Sequence, residues 1–145
     1  MLSAYTGHAM HLITDRLLVG NINDAVQPPV QIGALLLVAE EYTVEAPPWL
    51  AYGLSPFKDF GEANPRRLAE AVLWVEQHIR ENRVMVCCRA GMGRSVSVVM
   101  AYLCCVENMA YADVLKLVMT RRPGAMPLPN LEHTIEHVLT LRKAA

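Results

Sequence analysis

The sequence predicts a single compact α/β domain spanning residues 1–145, with a mostly parallel central sheet flanked by helices. Three observations predict it. Ala34 to Ala39 is an unbroken apolar run, as in strands buried on both faces of a parallel sheet. Pro65 to Asn82 carries Leu68, Ala71 or Val72, Val75 and Ile79 at spacings of three and four, which is a helical pattern. Val84-Met85-Val86 is a second buried strand that runs into a loop with two glycines and then into helical sequence.

The remaining elements follow in chain order. Leu12-Ile13 and Leu17-Leu18-Val19 read as short strands around an Asp15-Arg16 turn, the second closed by Gly20-Asn21. The long strand is bounded by Gly33 and by Glu40-Glu41, and Tyr52 to Leu54 reads as another strand after the rigid Ala46-Pro47-Pro48 connection. Pro65 suits the first turn of its helix. Arg94 to Glu107, Ala112 to Arg121 and Asn130 to Arg142 read as three further helices, the second stopped by Pro123 and the third opened by Pro127-Leu128-Pro129. Asn130 is expected to be the N-cap of the last helix, and Arg121 and Arg122 to complement the dipole at the end of the one before.

Composition narrows the function. Hydrophobic residues make up 53% of the chain and charged residues 19%, enough apolar material for a core. Thirteen basic against 14 acidic residues leave a formal net charge of -1, so overall charge draws in neither nucleic acid nor a membrane surface, and an anion site must be local. The start lacks a secretory pattern and no apolar stretch approaches the roughly 20 residues that span a bilayer, so a cytoplasmic protein with no membrane span is expected. The four cysteines form two adjacent pairs, Cys87-Cys88 and Cys104-Cys105, a spacing that fits neither a zinc ribbon nor a disulfide framework; free thiols follow.

The chemistry concentrates in Val86-Cys87-Cys88-Arg89-Ala90-Gly91-Met92-Gly93-Arg94-Ser95, a strand that turns through two glycines into a helix. Backbone N–H groups at a helix N-terminus lack intrahelical partners, and glycines let successive peptides turn those groups inward around an anion. The planar fork of Arg94 suits two phosphate oxygens. The same field acts on Cys88: a free cysteine is only about 3% thiolate at neutral pH, and helix N-termini and cations raise that fraction. Ser95 follows Arg94, where its hydroxyl can donate to the thiolate.

Cys88 and Arg94 with five residues between them, followed by Ser95, resemble the signature of cysteine-dependent protein tyrosine phosphatases. Ile13-Thr14-Asp15-Arg16-Leu17-Leu18-Val19-Gly20, then Gly33-Ala34-Leu35-Leu36-Leu37-Val38, then Arg122-Pro123 and Pro129-Asn130 resemble successive blocks of the dual-specificity branch. The resemblance implies a dual-specificity-phosphatase-like fold and hydrolysis of phosphotyrosine, with phosphoserine or phosphothreonine as further substrates. Cys88 would be the nucleophile of a phosphocysteine intermediate, and Arg89, Ala90, Gly91, Met92, Gly93 and Arg94 would bind the phosphate. No cofactor or metal is called for, and the partner is a phosphorylated protein or a small phosphate monoester. Asp59, 29 residues before Cys88, resembles the family's general acid by position; Glu62 is the local rival. Two departures stand out. Cys87 occupies the place where the family usually has histidine, and Glu136 the place of a usual glutamine.

Other readings compete. Cys87, Cys104 and Cys105 read as core residues, and Arg89 equally as a solvated loop arginine. Met92 reads as rim packing within reach of substrate. His133-Thr134-Ile135-Glu136-His137 matches a zinc peptidase pattern, but no acidic residue follows it and the segment reads as a closing helix with Leu131, Ile135, Val138 and Leu139 inward. A phosphoinositide or other non-protein phosphatase uses the same chemistry. A sulfurtransferase, a non-catalytic phosphate-binding module and a thiol redox protein built on Cys87-Cys88 are the alternatives from other classes.

Overall fold

A computed structural model describes residues 10–145. The chain forms β1 (His11–Thr14), β2 (Leu17–Gly20), α1 (Ile22–Val26), β3 (Ala34–Ala39), β4 (Ala51–Phe57), α2 (Pro65–Ile79), β5 (Val84–Cys87), α3 (Arg94–Cys105), α4 (Tyr111–Arg121) and α5 (Leu131–Ala144). The strands make one five-stranded sheet in the order β1-β2-β5-β3-β4. β1 is antiparallel to β2, and every other pairing is parallel, so the sheet is mostly parallel as expected. No helix among the described residues is long and apolar enough to cross a membrane.

The central position of β5 decides where the site lies. It pairs with β2 on one side and β3 on the other, and all four of its residues are buried. The segment that leaves its C-terminal end therefore emerges at the middle of the carboxyl edge of the sheet, where open α/β sheets bind ligands. β3 is buried at all six positions, which is why its sequence shows no alternation.

α2 begins at Pro65 behind Asn64, whose side chain accepts from the Arg67 N–H, and it buries the apolar residues that its periodicity singled out. It stops at Ile79, short of Asn82, and the His78 carbonyl at its end accepts from the Glu81 and Asn82 N–H groups and from the Asn82 side-chain amide. All 12 residues of α3 are buried, so this helix is wrapped by the rest of the molecule and needs no polar face. It packs on β5 and β2 and against α2, α4 and α5. Cys104 and Cys105 lie in that core as expected.

Three details differ from the sequence reading. α1 was not foreseen: five residues are too few for a periodic signal, and the helix is held by a capping box in which Asn21 accepts from the Asp24 N–H and Asp24 from the Asn21 N–H. β4 extends through Pro56 to Phe57, which the sheet allows because β4 is an edge strand with one side free of partners. Asn130 does occupy the N-cap position of α5, but in a left-handed conformation (φ 57°) with no side-chain cap bond; its carbonyl accepts from the Thr134 N–H and hydroxyl instead. α5 buries Leu131, Thr134, Ile135 and Val138, while His133 and Glu136 are exposed.

Leu36, buried in β3, and Leu139, only partly buried on α5, provide a test of this layering. Leu36→Ala is expected to lower stability by about 2–5 kcal/mol, and Leu139→Ala by less than about 2 kcal/mol, in urea unfolding followed by circular dichroism.

Candidate active site

The loop after β5 is shaped by what happens to its carbonyls. The Arg89 carbonyl accepts from the Ile22 N–H at 3.1 Å, and the Met92 carbonyl from the Met126 N–H at 2.7 Å. The Arg122 guanidinium donates to the Gly91 carbonyl through Nε at 2.9 Å and to the Ala90 carbonyl through Nη2 at 3.3 Å. The Gly93 carbonyl accepts from the Ser97 N–H at 2.9 Å and from the Ser97 hydroxyl at 2.8 Å. Five consecutive carbonyls are thereby drawn outward. The N–H groups from Ala90 to Arg94, which share peptide planes with these carbonyls and so point the opposite way, have no acceptor among the described residues. Gly91 makes this possible: its φ is 72°, and a Cβ there would collide with the Arg122 side chain and the Gly20 carbonyl.

Arg122 is therefore not the dipole-complementing surface residue of the sequence reading. It is 1% exposed and lies beneath the loop. Its Nη1 also donates to His11 Nδ1 at 2.8 Å, and Asp24 lies near enough to favour its charge against the desolvation that lowers its pKa. Burial likewise raises the pKa of Asp24, opposed by its bond to the Asn21 N–H and by Arg122. The signal for Arg122 was in the resemblance, in the Arg122-Pro123 block, but nothing local to that segment showed that its side chain points inward.

Cys88 is 2% exposed at the floor of the loop. Its Sγ is 3.2 Å from the Ser95 Oγ and accepts from the Ser95 N–H at 3.5 Å. Cys87 is fully buried in β5; burial first, then the negative potential of Asp24 and Cys88, pushes its pKa well up, so it remains a thiol at neutral pH. Asp59, in the segment after β4, shares a pocket of about 390 Å³ with Cys88, Ala90, Met92, Gly93 and Arg94, whose outer walls are Phe60, Met126, Pro127, Leu128 and Pro129. Glu62 lines a separate cleft with Glu40, Lys58 and Arg67. Of the loop residues named from sequence, Arg89 is exposed and Gly91 buried, and neither lines the pocket.

Arg94 is 1% exposed, and the end of its fork is already occupied. Its Nη1 donates to Glu41 Oε1 at 2.6 Å and to the Phe57 carbonyl at 3.1 Å, while Nη2 donates to Glu41 Oε2 at 2.8 Å. Asp59 Oδ2 is 3.5 Å from Nη2. The Nε is buried with no hydrogen-bond partner, so the side edge of the guanidinium, not its end, keeps an unused donor. The hydrogen bond from Arg94 holds the Glu41 carboxyl at about 2. Glu41 entered the sequence reading only as the boundary of β3. A carboxylate just past the C-terminal end of a buried parallel strand was the available signal.

The match that decides the family covers residues 51–139, which fit the model of the dual specificity phosphatase catalytic domain. The chain belongs to the dual specificity phosphatase family. Solved structures agree on the fold. Human DUSP28 superposes with a TM-score of 0.80 at 19% identity, covering 93% of this chain and 95% of that one. Human tyrosine phosphatase-like serine/threonine/tyrosine-interacting protein gives 0.79 at 20% identity, covering 92% and 97%. Tk-PTP in its active form gives 0.77 at 20% identity, covering 91% and 97%. No curated protein matches the sequence significantly. The chain thus carries a phosphatase-type catalytic domain, with the dual-specificity fold that the resemblance implied and a phosphorylated compound as substrate.

Two expected outcomes follow from the contacts. Ser97 is buried and holds the Gly93 carbonyl and, at 2.9 Å, the Leu128 N–H; Ser97→Ala is expected to cost about 1–3 kcal/mol in urea unfolding, since a buried N–H is left unpaired. Glu41 ionises in the folded chain at about 2, below its ordinary value of 4.5, so its contribution is complete above that ordinary value and lost as pH falls toward 2. The urea midpoints of wild type and Glu41→Gln are therefore expected to converge across that interval. Glu41 is 40% exposed, which keeps the effect modest.

Proposed function

We propose that this chain is a cysteine-dependent phosphoric monoester hydrolase acting on phosphotyrosine, with phosphoserine and phosphothreonine as further substrates, in the cytoplasm. The observation that carries it is the position of Cys88 Sγ at the floor of a loop whose carbonyls are all turned away. A phosphate placed there meets inward N–H groups, the free Nε of Arg94 and the sulfur together. The apolar outer walls suit the ring of a tyrosine.

In the first step the Cys88 thiolate forms a sulfur–phosphorus bond as the bond to the ester oxygen breaks, and the Asp59 carboxyl gives its proton to that oxygen. In the second, water attacks phosphorus, Asp59 carboxylate takes the water's proton, and the sulfur departs with the Ser95 hydroxyl donating to it. Arg94 and the loop amides hold the equatorial oxygens throughout. Asp59 is favoured over Glu62 because it opens on the pocket that contains Cys88, whereas Glu62 faces another cleft.

Cys88→Ser is expected to retain phosphate or vanadate binding and to lose turnover of p-nitrophenyl phosphate to below about 1% of wild type, and Arg94→Ala to lose both. Asp59→Asn should slow esters with poor leaving groups most, by roughly 10²–10⁴-fold, with Glu62→Gln near wild type. A Cys88→Ser variant with substantial turnover would sink the covalent mechanism. Catalytic efficiencies on phosphotyrosine peptide, phosphoserine peptide and phosphoinositide should rank in that order; a phosphoinositide ranked first replaces the protein substrate.

A further inference from the structure

We propose that His11 is a positioning residue for the phosphate-binding loop: its neutral ring holds the Arg122 guanidinium in the orientation that pins the Ala90 and Gly91 carbonyls, and a proton on that ring releases the grip. The proposal rests on reading this loop as the place where phosphate binds.

Each nitrogen of the Arg122 guanidinium meets a different acceptor. Nε donates to the Gly91 carbonyl at 2.9 Å, Nη2 to the Ala90 carbonyl at 3.3 Å and Nη1 to His11 Nδ1 at 2.8 Å. The group is planar, so a partner on Nη1 fixes the direction in which the edge formed by Nε and Nη2 points. The two carbonyls on that edge share peptides with the Gly91 and Met92 N–H groups, which point the opposite way. Orientation therefore passes from the imidazole to the guanidinium, and from there to two of the donors that the loop offers a phosphate.

The ring can do this only while neutral. A guanidinium has no acceptor, so the nitrogen that receives its N–H carries a lone pair and no proton. Once protonated, imidazole donates from both nitrogens, and at this separation an N–H would face an N–H and one cation another. His11 is only partly buried, so solvent protons reach it, whereas Arg122 is 1% exposed and stays charged. Among the described residues, the charged and titratable groups around His11 come from four directions. They are Arg122 and Arg121 from the end of α4, Asp24 from α1, Arg83 from the segment before β5, and Cys87 and Cys88 on the far side of Arg122. Asp24 acts on Arg122 and His11 alike, but its Oδ2 accepts from the Asn21 N–H at 2.8 Å and serves the cap of α1.

The test is steady-state kinetics of the full chain on p-nitrophenyl phosphate over about pH 4–9, a range that spans the histidine charge change, for wild type, His11→Asn, His11→Gln and His11→Ala. Asparagine puts an oxygen where Nδ1 stands and does not titrate; glutamine puts its oxygen nearer the place of Nε2. At the alkaline end His11→Asn is expected to keep at least about a third of the wild-type kcat/KM, and His11→Gln and His11→Ala to lose about 10–100-fold. Ionisation of the substrate and of Cys88 cancels in the ratio of wild type to His11→Asn. That ratio is expected to be constant at alkaline pH and to drop by about 10–100-fold in total toward acid pH, where wild type falls to the level of His11→Ala. Nitrogen-15 histidine spectra, with the His11 signals assigned by their loss in His11→Asn, should show a bare Nδ1 and a protonated Nε2 at the alkaline end. Four results each overturn the proposal: His11→Ala within about threefold of wild type, His11→Asn as slow as His11→Ala, a ratio constant down to the acid end, or a proton on Nδ1 at the alkaline end. Should circular dichroism show His11→Ala or His11→Gln unfolded, the ratio and the tautomer decide. Calorimetric binding of inorganic phosphate to Cys88→Ser, with and without His11→Asn, reads the loop without turnover. The affinity ratio there should fall by at least about threefold toward acid pH, and a constant ratio overturns the proposal. Turnover by Cys88→Ser defeats the phosphocysteine mechanism instead, and leaves this binding measurement to judge His11.

Discussion

The outward pinning of the carbonyls from Arg89 to Gly93 is the constraint on which the rest of the site depends. A peptide has one donor and one acceptor pointing in opposite directions, so anchoring the acceptor to the protein body aims the donor at the centre of the loop. The anchors come from five places in the chain: Ile22 at the start of α1, Ser97 in α3, Arg122 at the end of α4, Met126 in the segment after it and, through Arg122, His11 in β1. This explains the short helix α1 as well, because its capping box leaves the Ile22 N–H free to reach the loop. Donors fixed in this way need no rearrangement when a phosphate arrives, which is the condition for strong electrostatic stabilisation of a transition state.

Two buried guanidiniums divide the work of this site. Arg122 lies beneath the loop and holds its shape; Arg94 lines the pocket that contains Cys88 and keeps its Nε without a partner. A buried cation without a partner is costly, by about 3–5 kcal/mol where one member of a pair is removed. Each is matched accordingly, Arg94 by Glu41 and Arg122 by carbonyls and the nearby Asp24. Bonding to His11 Nδ1 also sets a tautomer: the nitrogen that accepts from Arg122 carries no proton, so the neutral ring carries it on Nε2.

Cys87 fits this division. Paired across β5 with Gly20 of β2 and Leu37 of β3, it fills a fully buried position and, as a neutral thiol, adds no charge beside Cys88. A histidine in that place would bring hydrogen bonds of its own. Here the loop receives them from α1, α3 and α4 instead, so a small apolar side chain suffices at the strand end.

What the sequence by itself determined was everything with a local signature. The six-residue run of β3, the periodicity of α2 and the strand-turn-helix around Cys88, Gly91 and Arg94 are written in consecutive residues, and they were sufficient for the fold class and for the loop. Asp59 was legible because its distance from Cys88 along the chain resembled a family pattern. Glu41, His11, Ser97 and Arg122 were not legible as site residues, although each is an ordinary residue in an ordinary element. Their roles arise from separations of 53 residues between Glu41 and Arg94 and 111 between His11 and Arg122. Only the crossing of β5 between β2 and β3 brings those ends of the chain to one edge of the sheet. The sequence likewise assigned Arg94 both phosphate oxygens through its fork, and the tertiary structure decided which edge of that fork is free, because a buried cation must first be matched by the carboxylate that the fold places beside it.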